Sequence, residues 1–391
     1  MHTICSKQEC YGCSACHNIC PTGCISMVPD EEGFSYPIIN QTECTDCEEC
    51  VSVCQVHNEV ISSAHNQRYF AAKNSDEVRV NSSSGGMFTA VSDHVLANDG
   101  VIVGAALNSD FTVSHIIARN AGTRDLLRGS KYVQSDLKEL YSELQEVLSD
   151  SKQVLFVGTP CQVAGLKLFL GKNYENLITC DLVCRGVPSP RVFRSFIEYV
   201  QEKGGDALTE FKFRDKKLGW RGYTVSTQYA NGKKKHVALN TLWLRSFHYL
   251  FIHNFINRPS CSRCKHASYE RCSDITLGDY WAVKKYYPQF EDRLGVSLVI
   301  TNTGKGEQVF QSISPGLVHV EIGRQEAKQN ALSTLPRPNN QREAFWDCYN
   351  TGSYEMAIKR FGEFNSKGFI KDVARNIMNI PGALPKTRPI A

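Results

Sequence analysis

The sequence has no apolar run long enough to cross a bilayer. Its longest, VIVGAAL and VLFVG, fall far short of the roughly twenty residues that a membrane helix needs. It also lacks an excess of charge of either sign. With 44 basic residues against 40 acidic ones, there is no support for nucleic-acid binding, which shows as a basic stripe. The opening residues, MHTICSKQEC, have no charged segment followed by an apolar one, so no secretory signal is expected and the expected compartment is the cytoplasm. Apolar residues make up 42% of the 391, enough for two or three domains around a sizeable core.

What the chain has in plenty is cysteine, 17 in all. Disulfides are disfavoured in a reducing cytosol, and the count is odd, so clustered thiols there point to metal. Ten of them fall in the first 54 residues. CYGCSACHNICP, from Cys10, and CTDCEECVSVC, from Cys44, repeat one spacing, C-x2-C-x2-C-x3-C, 34 positions apart. In such a run three thiolates converge on one cubane, and the fourth is carried away by the following helix to the other cluster. Cys10, Cys13 and Cys16 with Cys54 are thus expected to hold one 4Fe–4S cluster, and Cys44, Cys47 and Cys50 with Cys20 a second. Zinc, the alternative, prefers four ligands in separated C-x2-C pairs. Pro21 fits the run; Gln55 stands where proline is usual. Cys5 and Cys24 fall outside the pattern, and Cys24 is expected to fill a small core position.

Residues 1–64 therefore read as a bacterial-ferredoxin-like module and 65–78, within SSAHNQRYFAAKNSDEVRVN, as a polar linker. From 79 to 345 strands and helices alternate: DGVIVGAAL, TVSHIIAR, KQVLFVG and NLITCDLVC as strands, SDLKELYSELQEVLSD (capped by Ser135 or Asp136), TPCQVAGLKLFLG and SPRVFRSFIEYVQEKGG as helices. GYTVSTQYANGKKKHVAL reads as a hairpin about its Asn-Gly turn. Residues 346–391 read as a helical tail, with EMAIKRFGEF and KGFIKDVARNIM as its helices. The fold class expected is α+β/α/β, a ferredoxin-like module followed by an α/β flavin-binding body with a mixed sheet.

Two loops in the body look suited to a phosphate. NSSSGGMFTAV joins Ser82, Ser83, Ser84, Gly85 and Gly86 to a helix start, though it is neither a Walker loop nor G-x-G-x-x-G. GTPCQ (Gly158, Thr159, Pro160, Cys161, Gln162) sits at a strand-to-helix junction, where open parallel sheets bind ligands. The same loops serve equally as capped helix starts.

SSSGGMFTAV, GSKYVQS, GTPCQVAG, CDLVCRGVPSP and CSRCKHA…CSDITLGDYW, taken together over residues 75–345, resemble the coenzyme F(420) hydrogenase/dehydrogenase β-subunit family. Arg185, where C-H-G is frequent, and Ala282, where glycine is usual, depart from its pattern. The resemblance implies FAD beside a 4Fe–4S cluster. It makes Cys261, Cys264 and Cys272 three ligands of a third cluster, with Cys184 or Cys161 as the fourth and a four-thiolate zinc site as the alternative. It places the FAD at Ser82–Gly86 and Gly158–Gln162, with Lys131 as the nearest positive charge. Lys131, Arg185 and Asp279 become candidate catalytic residues, with His266 a further candidate acid. Cys180 and Cys348 are expected in the core.

The function expected is an iron–sulfur flavoprotein oxidoreductase. It would take electrons from reduced ferredoxin or a similar donor and act on an organic substrate, in the setting of a surface-polysaccharide pathway. A deazaflavin-dependent oxidoreductase and an electron-transfer subunit without its own substrate are the alternatives. No nucleic acid or transmembrane segment is expected, and a homo-oligomer is left open. The basic C-terminal residues Lys359, Arg360, Lys367, Lys371 and Arg375 leave a peripheral membrane contact as a minor alternative.

Overall fold

Short apolar runs bounded by turn residues become strands here. In the computed structural model, which describes residues 3–60, 66–217, 219–222, 224–236 and 239–362, they are β1 (Ile25–Pro29), β2 (Ser35–Ile39), β3 (Arg68–Lys73), β4 (Val101–Leu107), β5 (Val113–Ala118), β6 (Val154–Gly158), β7 (Leu177–Leu182), β8 (Leu208–Asp215), β9 (Thr224–Tyr229), β10 (Lys234–His236), β11 (Ile275–Asp279), β12 (Ser297–Thr301) and β13 (Val318–Ile322).

Eight of these strands form one mixed sheet in the order β13-β3-β12-β11-β7-β6-β4-β5. β4, β6, β7 and β11 run parallel, while β5 and β12 are antiparallel to their neighbours. β3 is antiparallel to β12 and so points the same way as β11. The four parallel strands and β3 therefore deliver their C-terminal ends to one edge, the edge where open α/β sheets gather their chemistry. Helices such as Met87–Ala97 and Pro160–Leu170 cover the sheet. β8, β9 and β10 make a separate antiparallel sheet, and β9 and β10 flank the Asn231-Gly232 turn as the sequence implies. Gly232 has φ 80°, the left-handed conformation that such a turn requires.

Two expectations change. The stretch read as a linker contains β3, an inner strand paired on both sides. Its four middle residues, YFAA, are buried, and the charged Arg68 and Lys73 at its ends hid it in a polar context. The helix expected from Ser135 starts at Leu140 instead. Asp136 bridges to Ser114, and Lys138 takes a positive φ before the helix begins. In the tail, Tyr354–Phe361 is helical, while KGFIKDVARNIM lies outside the described residues. No described helix is long and apolar enough to cross a membrane.

The N-terminal module is built into the body through its backbone. The Arg258 guanidinium donates to Cys10 O (2.7 Å) and Ser35 O (3.0 Å). Asn18 accepts from Tyr141 N and donates to Lys138 O, and Arg342 pairs with Glu32. Gly165, mid-helix in Pro160–Leu170, explains why that helix carries a glycine. A Cβ there would lie 2.7 Å from Cys13 Cβ and 2.9 Å from Cys13 Sγ. The first cysteine run thus rests directly on the helix that opens with Cys161.

Candidate functional site

The short turns around Cys10–Cys16 and Cys44–Cys50 bring their thiols into two groups. Burial pushes the Cys16 thiol well up, and Cys13, Cys10, Cys54 and Cys50 add to the shift. The Cys13 thiol is pushed up to about 11 by burial, with Cys10 and Cys54 adding. Cys10, Cys13, Cys16 and Cys54 are therefore mutual neighbours, as the spacing implies. Cys50 is raised by burial and by Cys47, Cys20 and Cys44, which defines the second group. Cys47 is exposed, so this group reaches the surface.

The two cysteines outside the runs join these groups. Cys5 hydrogen-bonds Cys10 and Cys54. Cys24 is buried, as expected of a small core residue, yet its Sγ also lies 3.4 Å from Cys20 Sγ.

A third group forms at the C-terminal edge of the sheet. The Cys161 thiol is raised by burial and by Cys264, Cys184 and Cys261. Cys184 is raised to about 11 by burial, with Cys264 adding. Cys261 rises to about 12 for the same reason, with Cys184 and Cys264 adding. Cys161 lies in the first turn after β6 and Cys184 just past β7, while Cys261 and Cys264 come from the turn Pro259–Arg263 and its cap. Thr159 Oγ1 lies 3.1 Å from Cys161 Sγ, and Gly186 N donates to Cys184 Sγ at 3.3 Å.

Both residues expected as alternatives, Cys161 and Cys184, thus belong to this group, and Cys272 does not. Burial raises Cys272 to about 11, and the charges around it are Asp181, Lys167 and Arg271. It packs in the apolar cluster of Leu166, Phe169 and Ala15. The register explains the difference. Ile275 pairs with Cys180, so Cys184 runs on past that pair while Cys272 precedes it. The C-x7-C spacing spans the entry to β11 rather than closing a loop.

Four half-buried thiols gathered in one neighbourhood suit a cationic core of iron and sulfide. Zinc draws four ligands onto one ion, whereas a cubane spreads its thiolates over a cluster. Among the described residues no set of three or more His, Cys, Asp or Glu side chains is placed to grip a single metal ion.

The loop expected to cradle a phosphate is committed elsewhere. Ser82 Oγ donates to Val78 O and Ser84 Oγ to Val296 O, while Ser83 Oγ accepts from Ser130 N and Oγ. Gly85 is required because a Cβ would meet Ala72 O at 2.3 Å and Ser297 N at 2.6 Å. Its close approach is to β3 and β12. Gly86 takes φ 81° to start the helix Met87–Ala97.

The second loop is a capping box. Thr159 N donates to Gln162 Oε1 (2.9 Å), and Gln162 Nε2 donates to Ser135 Oγ. Gly158 ends β6, and Pro160 opens the helix at a first-turn position.

The candidate catalytic residues lie on the same edge but are spread along it. Lys131 Nζ donates to Leu126 O and Arg128 O, and burial pushes it down to about 7. Asp279, ending β11, pairs with Arg214 at 2.6 Å. Arg185 donates to Ile252 O. His248, pushed down to about 3 by burial with Arg245, Arg214 and Arg185 adding, links these charges to Tyr132, its ring neighbour at 5.9 Å. His266 instead faces the N-terminal module. Cys180 and Cys348 are core residues. A cavity of about 470 Å³ lined by Gln67, Tyr69 and Arg324 opens at the opposite edge.

His115, on β5, is a residue that the sequence did not single out. It is 8% exposed, stacks on Phe156 and sits 3.1 Å from Val157 O, with Lys131 nearby. Burial pushes its pKa down from 6.5 to about 4, with Lys131 adding. Between those values the unfolded chain binds the proton that the folded chain refuses, so stability falls as pH drops from 6.5 towards 4. Urea melts of His115→Gln over that range are expected to show a shallower acid loss than those of the parent chain. Equal slopes would mean that His115 is not held neutral.

Residues 151–322 match the family described as the C terminus of the coenzyme F(420) hydrogenase/dehydrogenase beta subunit, and residues 9–58 match the 4Fe-4S dicluster domain. No curated protein matches the chain. Among solved structures, the F(420)-reducing NiFe hydrogenase complex from Methanosarcina barkeri, in a xenon derivative, has a similar chain. It is 16% identical with a TM-score of 0.44, over 78% of this chain and 95% of that one.

Proposed function

We propose that the chain, which joins a match to the 4Fe-4S dicluster domain to a match to the C terminus of the coenzyme F(420) hydrogenase/dehydrogenase beta subunit, is an iron–sulfur oxidoreductase of electron-transfer type whose three thiol groups form one relay from the surface into the body. The carrying observation is their order. Cys47 is exposed in the second group, and Cys50 of that group lies within electrostatic reach of Cys16 in the first. Cys13 of the first rests on Gly165 of the helix that bears Cys161. Tyr11, next to Cys10, lies beside Cys264, Cys161 and Cys261. In this reading Cys161, Cys184, Cys261 and Cys264 hold the third 4Fe–4S cluster.

Such clusters supply one-electron storage and transfer when bound. The protein's part is to space the thiols, exclude water and set the charge around them. Buried Arg258 lies between Cys10 and Cys261 and favours added negative charge on both sides.

FAD, which the resemblance implies, would find the Ser82 and Ser84 hydroxyl hydrogens already donated to Val78 O and Val296 O in the Ser82–Gly86 loop. No step is drawn through it. The end of the relay is an organic substrate at the sheet edge, beside Lys131, Arg185 and the Arg214–Asp279 pair. The donor is a small one-electron carrier such as reduced ferredoxin, reaching the exposed Cys47 side.

Anaerobic reductive titration tests the relay. Uptake of about three electrons per chain corresponds to three clusters, and about two more would report a bound flavin. Uptake of two electrons alone would leave the body without a redox group and overturn the proposal.

A further inference from the structure

The residue after the last cysteine of a ferredoxin run is usually proline, which ends the helix and has neither a backbone N–H nor a polar side chain. Here it is Gln55, and it is 1% exposed. A buried amide needs partners, since leaving one unpaired costs its full desolvation. Gln55 finds all of its partners at the boundary between two thiol groups. Nε2 donates to Cys161 O at 2.9 Å, and the amide also reaches the Cys13 thiol. Oε1 meets His266 Nε2 at 2.6 Å. Lys265 Nζ donates to the Gln55 carbonyl.

The chemistry fixes the orientation. A carbonyl oxygen only accepts, so the amide nitrogen faces Cys161. The amide oxygen then faces His266, whose Nε2 must carry the hydrogen. His266 is held in turn by the edge of Tyr11, at 5.5 Å between ring centres, and lies two residues past Cys264.

We infer that Gln55, locked by His266, is the positioning residue that couples the Cys10–Cys13–Cys16–Cys54 group to the Cys161–Cys184–Cys261–Cys264 group. This rests on the relay proposed above. Gln55 follows Cys54 directly in the chain, touches Cys13 and ends on the carbonyl of Cys161. It is thus a path of covalent bonds and short hydrogen bonds between a ligand of one group and a ligand of the other. One electron leaves the first group and arrives at the third, and no bond breaks. A proline at this position would keep the run's geometry and remove the bridge. Gln55 also gives the Cys13 sulfur a hydrogen bond, which favours the more negative, reduced state of the group that Cys13 serves.

The test uses the full anaerobic chain with all clusters, given a sub-stoichiometric pulse of dithionite and frozen at intervals for paramagnetic resonance. The parent chain should show the dicluster signal decaying as the third appears. In Gln55→Leu, with iron and sulfide unchanged, that transfer is expected to slow about tenfold, and the potential of one dicluster site to fall while the other stays. Gln55→Glu keeps an acceptor for His266 but sets an oxygen against Cys161 O, and should be as slow. His266→Phe should slow transfer less, because it frees the amide without removing it. Unchanged transfer in both Gln55 variants, with three signals present, would overturn the bridge and leave the relay standing. Absence of the third signal from the parent chain would instead remove the relay, and the bridge with it.

Discussion

Serine at Cys161, Cys184, Cys261 or Cys264 is expected to lower the iron content from about twelve to about eight per chain, one cubane's worth, whereas Cys272→Ser keeps all of it. The argument turns on which thiols share a neighbourhood. Cys161 answers to Cys264, Cys184 and Cys261, Cys261 to Cys184 and Cys264, and Cys184 to Cys264. The thiol of Cys272 answers to Asp181, Lys167 and Arg271, and its carbonyl accepts from Lys167 Nζ. Serine at 272 swaps a buried sulfur for a hydroxyl among Leu166, Phe169 and Ala15. That costs about 1–3 kcal/mol of stability and no iron. Colorimetric iron and sulfide counts on anaerobically purified variants decide the matter. Iron lost from Cys272→Ser and kept in Cys184→Ser would restore the ligand set that the sequence spacing suggests.

That contrast shows where spacing carries information and where it stops. Within eleven residues, C-x2-C-x2-C-x3-C leaves the chain almost no freedom, and the grouping of Cys10, Cys13 and Cys16 with distant Cys54 was legible at once. Cys264 and Cys272 are separated by seven residues, long enough to pass from a turn into a strand approach, and only the pairing of β11 on β7 decides which way Cys272 faces. The parallel strands β4, β6 and β7 were legible because they are short continuous apolar runs between turn signals. β3 was hidden because its buried residues are few and flanked by charge, and its place inside the sheet is set by β12 and β13, which come more than 200 residues later. The Ser/Gly loop misled for a related reason. A sequence shows that glycine allows close approach, but cannot show whether the approaching atom belongs to a ligand or, as at Gly85, to Ala72 and Ser297.

Arg258→Ala is expected to destabilise the chain by about 3–5 kcal/mol, seen as a large fall in the urea midpoint of the anaerobic protein, and to loosen the N-terminal module from the body first. The side chain is 1% exposed and no sequence motif marks it. Its guanidinium donates to Cys10 O, to Gln134 Oε1 and to Ser35 O, so each face of the fork holds a different part of the structure. Tyr36 lies 4.3 Å from its carbon, adding a cation–π contact. Truncation leaves one buried and two part-buried acceptors without their donor, the buried one worth about 1–3 kcal/mol, and opens a cavity against Gly12, whose own Cβ position lies 2.7 Å from Nη1. Arg258→Lys should recover little. An ammonium keeps the charge but cannot span three acceptors set in different directions. The comparison separates two roles. If the lysine variant were as stable as the parent, charge beside Cys10 and Cys261 would be what matters. If it melts with the alanine variant, the planar fork is the clamp that keeps the first thiol group against the third, and the relay depends on that clamp for its spacing.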